Sequence, residues 1–183
     1  MIAYIDGGAR GNPGPAAYAV VVETTEGKPL ESLSGFLGEA TNNEAEYQGL
    51  LAALEYAHEQ RVRDLKVVSD SELLVRQIRR AYKVKSQALK PLYDRAVEMI
   101  ARLESFSIVH VPRERNREAD RLVNETLDAA VAGKEMRPAA NRTATPREMI
   151  RARARYAQGA LKFRDPLPLG EGEEVEVDIH RKK

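Results

Sequence analysis

The sequence predicts an α/β domain built on a mixed sheet, and three observations carry that prediction. Short apolar segments with glycine- and proline-rich joints fill residues 1–38, and segments of strand and helical character alternate over 64–131. No stretch of the 183 residues reaches the roughly 20 consecutive apolar positions that a membrane span requires, so the apolar segments are those of a globular core.

Residues 1–8 and 16–25 read as strands joined by Gly7-Gly8-Ala9-Arg10-Gly11-Asn12-Pro13-Gly14-Pro15, where glycine and proline stop a regular ladder. A third strand is expected over about 28–38 behind Gly27, a hairpin-turn residue, and three sequential strands with short links are most simply antiparallel. Thr41-Asn42-Asn43 offers helix caps, and Tyr47, Leu50, Leu51, Leu54 and Ala57 recur at helical spacing to about residue 60. Strand 64–69, helix 71–81, helix 86–103, strand 105–111 and helix 116–131 follow in the manner of βαβ units. The count is five strands, three antiparallel and then two parallel.

The expected domain covers residues 1–131, followed by a linker over 132–145 carrying Gly133, Pro138 and Asn141. In the extension, 146–183, Pro146 to about Ala157 reads as a short basic helix and Glu174–Ile179 as one strand. Charge is unevenly placed: residues 1–130 carry 17 Lys/Arg against 20 Asp/Glu, whereas 134–164 hold nine basic and two acidic side chains and 165–178 hold six acids and no base. That asymmetry points to a polyanion partner or an internal charge contact. The lack of cysteine excludes disulfides, thiolate zinc sites and cysteine nucleophiles, and agrees with a reducing compartment. With an N-terminus that runs straight into a strand pattern, the expectation is a soluble, cytoplasmic protein with no membrane partner.

Four acids sit where carboxylates are awkward. Asp6 closes the run Met1-Ile2-Ala3-Tyr4-Ile5, and Asp70 closes Leu65-Lys66-Val67-Val68-Ser69. Glu46 follows the cap residues, and Asp120 flanks the apolar set Ala119, Leu122, Val123, Leu127 and Ala130. Converging carboxylates raise each other's pKa unless a cation neutralises them, and hard oxygen donors suit Mg²⁺ or Mn²⁺. Each acid also has a local use. Asp70 before Ser71 reads as a cap, Asn43 with Glu46 or Thr41 with Glu44 as a capping box, and Asp120 as a partner of Arg121 or Arg117. Taken as a foursome, they favour the metal reading.

The segment Tyr4-Ile5-Asp6-Gly7-Gly8 with Gly11-Asn12-Pro13-Gly14-Pro15 resembles the first strand and turn of type 1 ribonuclease H. Thr41-Asn42-Asn43-Glu44-Ala45-Glu46 resembles that family's helix-start motif, with the metal-binding glutamate at Glu46 rather than Glu44. Val68-Ser69-Asp70-Ser71 resembles its third acidic motif, and Asn116-Arg117-Glu118-Ala119-Asp120 its last. The order and intervals fit throughout residues 1–131. A tryptophan-containing basic protrusion typical of the family is missing, so the protrusion-lacking subgroup is the better match.

The resemblance implies a three-layer fold with helices on both sheet faces. It implies an endonuclease that hydrolyses the RNA strand of RNA/DNA hybrids with two Mg²⁺ or Mn²⁺ ions, leaving 5′-phosphate and 3′-hydroxyl ends. Asp6 would bridge both ions, Glu46 and Asp70 would hold the one nearer the leaving oxygen, and Asp120 the one activating water. Two ions about 4 Å apart perform both tasks without a histidine base. Gly7, Asn12 and Glu46 would line the RNA strand, and Thr41 and Asn43 the DNA strand or its phosphates. Turn and cap chemistry explain the same asparagines, and the glycines equally serve the turn. The prolines of the Gly-rich loop argue against a dinucleotide fold.

The chain also departs from the family pattern. Glu44 stands where an arginine often grips a DNA phosphate, and capping from Thr41 is its expected role. Glu72 replaces a frequent glutamine, which weakens one RNA contact or makes it a donor only when protonated. Arg113 replaces a loop histidine, either contacting the scissile phosphate and helping product leave or pairing with Glu114 or Asp120. His110 at a strand end is expected to be structural. Among the bases ahead of Ser86, Arg76 fits a solvated helix face, and the Arg79–Lys85 cluster fits phosphate contact. The basic segment 147–164, with Tyr156 and Phe163 interleaved, would bind phosphates or the chain's own acidic surface. Rival readings are a nuclease of the same fold acting on double-stranded RNA or junctions, and a non-catalytic hybrid-binding module.

Overall fold

In the computed structural model the described residues are 1–132, together with the backbone of two short strands at 154–157 and 160–163. The chain divides into two compact units, Met1–Thr143 and Ala144–Lys183. In the first, Ile2–Ala9 (β1), Gly14–Glu23 (β2), Pro29–Ala40 (β3), Asp64–Ser69 (β4) and Ser105–His110 (β5) form one sheet in the order β3-β2-β1-β4-β5. β2 runs antiparallel to both β1 and β3, while β4 is parallel to β1 and β5 parallel to β4. Four helices complete the unit: Asn42–Glu59 (α1), Glu72–Ile78 (α2), Leu89–Ile100 (α3) and Arg117–Val131 (α4).

The mixed sheet is therefore the expected one, with element ends shifted by a few residues. Ser86 accepts from the Leu89 N–H at 3.3 Å, and the regular part of α3 begins at that bond rather than at residue 86. Arg80, at a φ of 61°, marks the end of α2, and Arg79 turns back so that its Nε and Nη2 donate to the Ile108 carbonyl at 2.8 and 2.5 Å. Arg79 thus grips the rim of the sheet.

In the second unit Ala154–Ala157 (β6) pairs antiparallel with Ala160–Phe163 (β7). This corrects the basic helix expected from Pro146 to about Ala157 at its C-terminal end, because a Gly-containing pair of residues, Gln158-Gly159, separates two segments that pair as strands. The rest of that helix, the strand expected over 174–179 and the side chains of the basic segment lie outside the described residues.

Pleating assigns the faces. Along β1, Ala3 and Ile5 point into the larger core with Val20, Val22, Leu65, Val67 and the buried Leu50, Leu51 and Leu54 of α1. Each such leucine contributes about 1.5–3 kcal/mol by leaving water. Asp6 alternates with Ile5 and so belongs to the opposite face, where Ala17 and Ala19 of β2 meet Val123 and Leu127 of α4.

Candidate active site

β1 and β4 are paired up to Ile5 opposite Ser69, so Asp6 and Asp70 emerge side by side from adjacent parallel strands. Gly7 draws in the next contributor. A Cβ at this position would lie 2.2 Å from the Ala45 carbonyl carbon and the Glu46 amide nitrogen, so only glycine lets the first turn of α1 press onto β1. Sequence reasoning placed Gly7 among substrate contacts; its buried position gives it this packing role. α4 contributes the fourth acid, Asp120, whose amide bonds to the Asn116 carbonyl in the helix's first turn.

Electrostatics tie the group together. Asp6 is 9% exposed, and burial, followed by the Asp70 carboxylate and more weakly Asp120, pushes it up to about 7 against the pull of the Gly7 N–H and the Arg113 guanidinium. Glu46 is also pushed up to about 7, mainly by burial with a smaller push from Asp70, against a hydrogen bond from Ser71. Asp70 is the common neighbour of both.

Each acid is engaged by donors of the chain. The Gly7 N–H donates to Asp6 Oδ1 at 2.8 Å. Asn42 Nδ2 donates to Glu46 Oε1 at 3.0 Å and Ser71 Oγ to Glu46 Oε2 at 2.5 Å. Asn116 Nδ2 donates to Asp70 Oδ1 at 3.0 Å, and Arg113 forms an ion pair with Asp120. Among the described residues no three His, Asp or Glu side chains stand arranged to hold a metal ion as they are. In this arrangement Arg113 pairs with Asp120, and Asn42 and Ser71 hold both oxygens of Glu46. The donor set itself, all carboxylate oxygen with two members pushed up to about 7 by burial and crowding, fits a hard divalent cation.

Several local uses weighed from sequence are resolved. Thr41 caps α1 in a full capping box with Glu44, its Oγ1 accepting from the Glu44 N–H while Glu44 Oε2 accepts from the Thr41 N–H. Glu46 is left outside the box. The cap of α2 is Ser71 and not Asp70, since Ser71 Oγ accepts from the Leu74 N–H. Asn12 is exposed and its Oδ1 accepts from the Asn42 N–H at 3.2 Å, so it docks the turn on the start of α1. Asn43 is half-buried on that same first turn. Glu72 forms an ion pair with Arg76 one turn along α2. His110 is exposed at the end of β5, opposite Ser69.

Three residues that hold the acids escaped the sequence reading: Asn42, Ser71 and Asn116. All lie inside the quoted motifs, but their types read as caps. Asn116 occupies the N-cap position of α4, yet its side chain makes no cap hydrogen bond. It is 2% exposed, its Nδ2 reaches Ile5 O at 2.9 Å as well as Asp70, and its Oδ1 is buried with no partner among the described residues. A buried orphan acceptor costs about 1–3 kcal/mol, and a forgone cap about 1 kcal/mol.

Residues 4–126 match the family described as reverse transcriptase-like. Over 128 residues the chain is 41% identical to ribonuclease HI of Halobacterium salinarum, covering 70% of this chain and 64% of that protein. It is 43% identical over 126 residues to the bifunctional protein Rv2228c of Mycobacterium tuberculosis, covering 68% of this chain and 35% of that one. The chain thus spans less than two thirds of the length of either relative. Among solved structures, RNase H1 from Halobacterium salinarum superposes with a TM-score of 0.68 at 41% identity, over 69% of this chain and 96% of that one. LC11-RNase H1 in complex with an RNA/DNA hybrid superposes with a TM-score of 0.67 at 42% identity, over 71% and 98%.

Proposed function

The chain belongs to the ribonuclease HI family, and on that premise we propose that it hydrolyses the RNA strand of RNA/DNA hybrids, using divalent ions held by Asp6, Glu46, Asp70 and Asp120. One observation carries the reading: the Asp70 carboxylate presses on both Asp6 and Glu46, Asp120 presses on Asp6, and these charges together with burial push Asp6 and Glu46 up to about 7. A fold gains nothing in stability from such crowding, whereas a cation turns the repulsion into attraction.

Bound Mg²⁺ or Mn²⁺ ions would make a water nucleophilic near neutral pH and offset charge on the leaving 3′ oxygen, which leaves 5′-phosphate and 3′-hydroxyl ends. The chain's residues do the rest. Asp6 and Glu46 would hold an ion as carboxylates, and Asp120 would do so in place of its Arg113 partner, which would leave the exposed guanidinium on the short turn Arg113–Arg115 free to contact the scissile phosphate. Asn12 and Asn43 carry amide groups at the first turn of α1 suited to reading a 2′-hydroxyl or phosphate, with Gly7 setting the close approach of α1 to β1. Thr41 orients that turn through its cap. Glu72, held by Arg76, contributes through position on α2 rather than as a free donor.

The test is cleavage of an end-labelled hybrid by the full chain, with end mapping, Mg²⁺ and Mn²⁺ compared, and double-stranded RNA and junction substrates alongside. Chelator-sensitive cuts confined to the RNA of the hybrid are expected, and nearly abolished by Asp6→Asn. Binding without cleavage, or preference for another substrate in the panel, overturns the reading.

A further inference from the structure

We propose that Asn116 is the positioning residue of this site: its side-chain amide sets the Asp70 carboxylate relative to the strand that carries Asp6, and catalysis depends on that setting. The inference rests on the metal-dependent reading above and assigns a role to a residue outside the four acids.

Asn116 behaves unlike a helix cap. An asparagine at the start of a helix ordinarily turns its side-chain oxygen onto the amides of the first turn. Here the oxygen has no partner among the described residues, and the NH₂ group points away from α4, donating 2.9 Å to the Ile5 carbonyl and 3.0 Å to Asp70 Oδ1. The orientation of the amide is fixed by this chemistry, because the flipped form would set its oxygen against two acceptors. Both acceptors matter to the site. Ile5 precedes Asp6, and its register partner on the adjacent strand, Ser69, precedes Asp70. The Asn116 carbonyl meanwhile accepts from the Asp120 N–H at 3.1 Å. One buried residue therefore joins β1, the end of β4 and the first turn of α4. Local rules broken at one position with no gain to the helix mark a residue whose use lies in the site. Groups that orient metal ligands in this way typically change metal affinity or activity about 10- to 100-fold when removed.

The experiment uses the full chain with Asn116→Ala and Asn116→Leu, the second nearly isosteric but unable to donate. Binding of Mn²⁺ alone is measured by electron paramagnetic resonance, beside kcat and KM on a defined hybrid and the thermal midpoint. Both variants should bind Mn²⁺ about tenfold or more weakly and lose kcat about 10- to 100-fold, with KM within about twofold of the parent. Leucine should recover thermal stability relative to alanine and recover neither Mn²⁺ binding nor kcat. In an Asp70→Asn background, Asn116→Ala should shift Mn²⁺ affinity by less than about twofold, since the residue acts through Asp70. Parental Mn²⁺ affinity in the leucine variant, or full additivity with Asp70→Asn, would reduce Asn116 to a packing residue. A parent chain that binds Mn²⁺ and cleaves, with variants that do the same, sinks this inference alone; a parent that does neither sinks it together with the proposed function.

Discussion

The two faces of the sheet are built to different ends. The face under α1 is sealed: Ala3, Ile5, Val20, Val22, Leu65 and Val67 meet Leu50, Leu51 and Leu54, with α2 and α3 closing the far side. The face under α4 is thin: alanines on β2 lie against Val123 and Leu127, and among the described residues Phe36 and Leu122 pack around them. Asp6 and Asp120 belong to this second face. The contrast teaches where a domain can keep crowded carboxylates: at the end of a sheet whose opposite face supplies the stability, beside a helix that commits only a narrow stripe to burial.

If that division holds, changes on the two faces should separate stability from turnover. The largest effect is Asp6→Asn. Losing one of the carboxylates proposed to hold the ions should remove several kcal/mol of transition-state stabilisation, so hybrid cleavage should fall about a thousandfold or more, while the metal-free protein becomes more stable near pH 8. Steady-state kinetics and thermal melts of one preparation test both halves. An inactive but destabilised variant would make Asp6 part of the core rather than its exception.

Gly7→Ala should strike both faces at once, because the added methyl meets backbone at 2.2 Å and α1 must move away. A loss of about 3 kcal/mol in urea unfolding, accompanied by reduced activity, is expected. Unchanged activity would mean that the approach of α1 to β1 does not set Glu46.

pH probes the crowded carboxylates directly. Asp6 and Glu46 titrate near 7 when folded, above the ordinary carboxylate range, so the folded state retains protons that the unfolded chain has lost between about pH 4 and 7. Metal-free stability should therefore decline as pH rises through that window, by a few kcal/mol for shifts of this size. Saturating Mn²⁺ should flatten the decline, and Asp6→Asn should remove part of it. A metal-free profile that rises over the same interval contradicts the crowding. The smallest effect is Thr41→Ala, which removes the capping box for about 1 kcal/mol and should leave kcat within severalfold.

Much of this was legible in the chain. Strand composition, glycine joints and the 3.6-residue recurrence of Tyr47, Leu50, Leu51, Leu54 and Ala57 located every strand and helix of residues 1–131, because each element is locally consistent with its place. The four acids were legible through their misfit with apolar neighbours. Side-chain direction was not. Asn116, Ser71 and Asn42 are cap-type residues by identity, and only the fold shows that Asn116 and Ser71 reach across to carboxylates of other elements, Ser71 while also capping α2, and that Asn42 holds Glu46 one turn along its own helix. The strand at Ala154–Ala157 was missed because a proline followed by charged residues suits a helix start, and the pairing that decides otherwise is non-local.

Arg79 began as part of a presumed phosphate-binding cluster and ends with its fork around the Ile108 carbonyl. β5 is a terminal strand of the five-stranded sheet, where an unclaimed carbonyl invites a stray chain to add itself. With a guanidinium lodged there, an incoming strand finds one of its docking points already taken and a positive charge in its path. The far rim, β3, carries Pro29, Glu31 and Glu39, so both borders resist recruitment into larger aggregates by different means: one is plugged and the other repels.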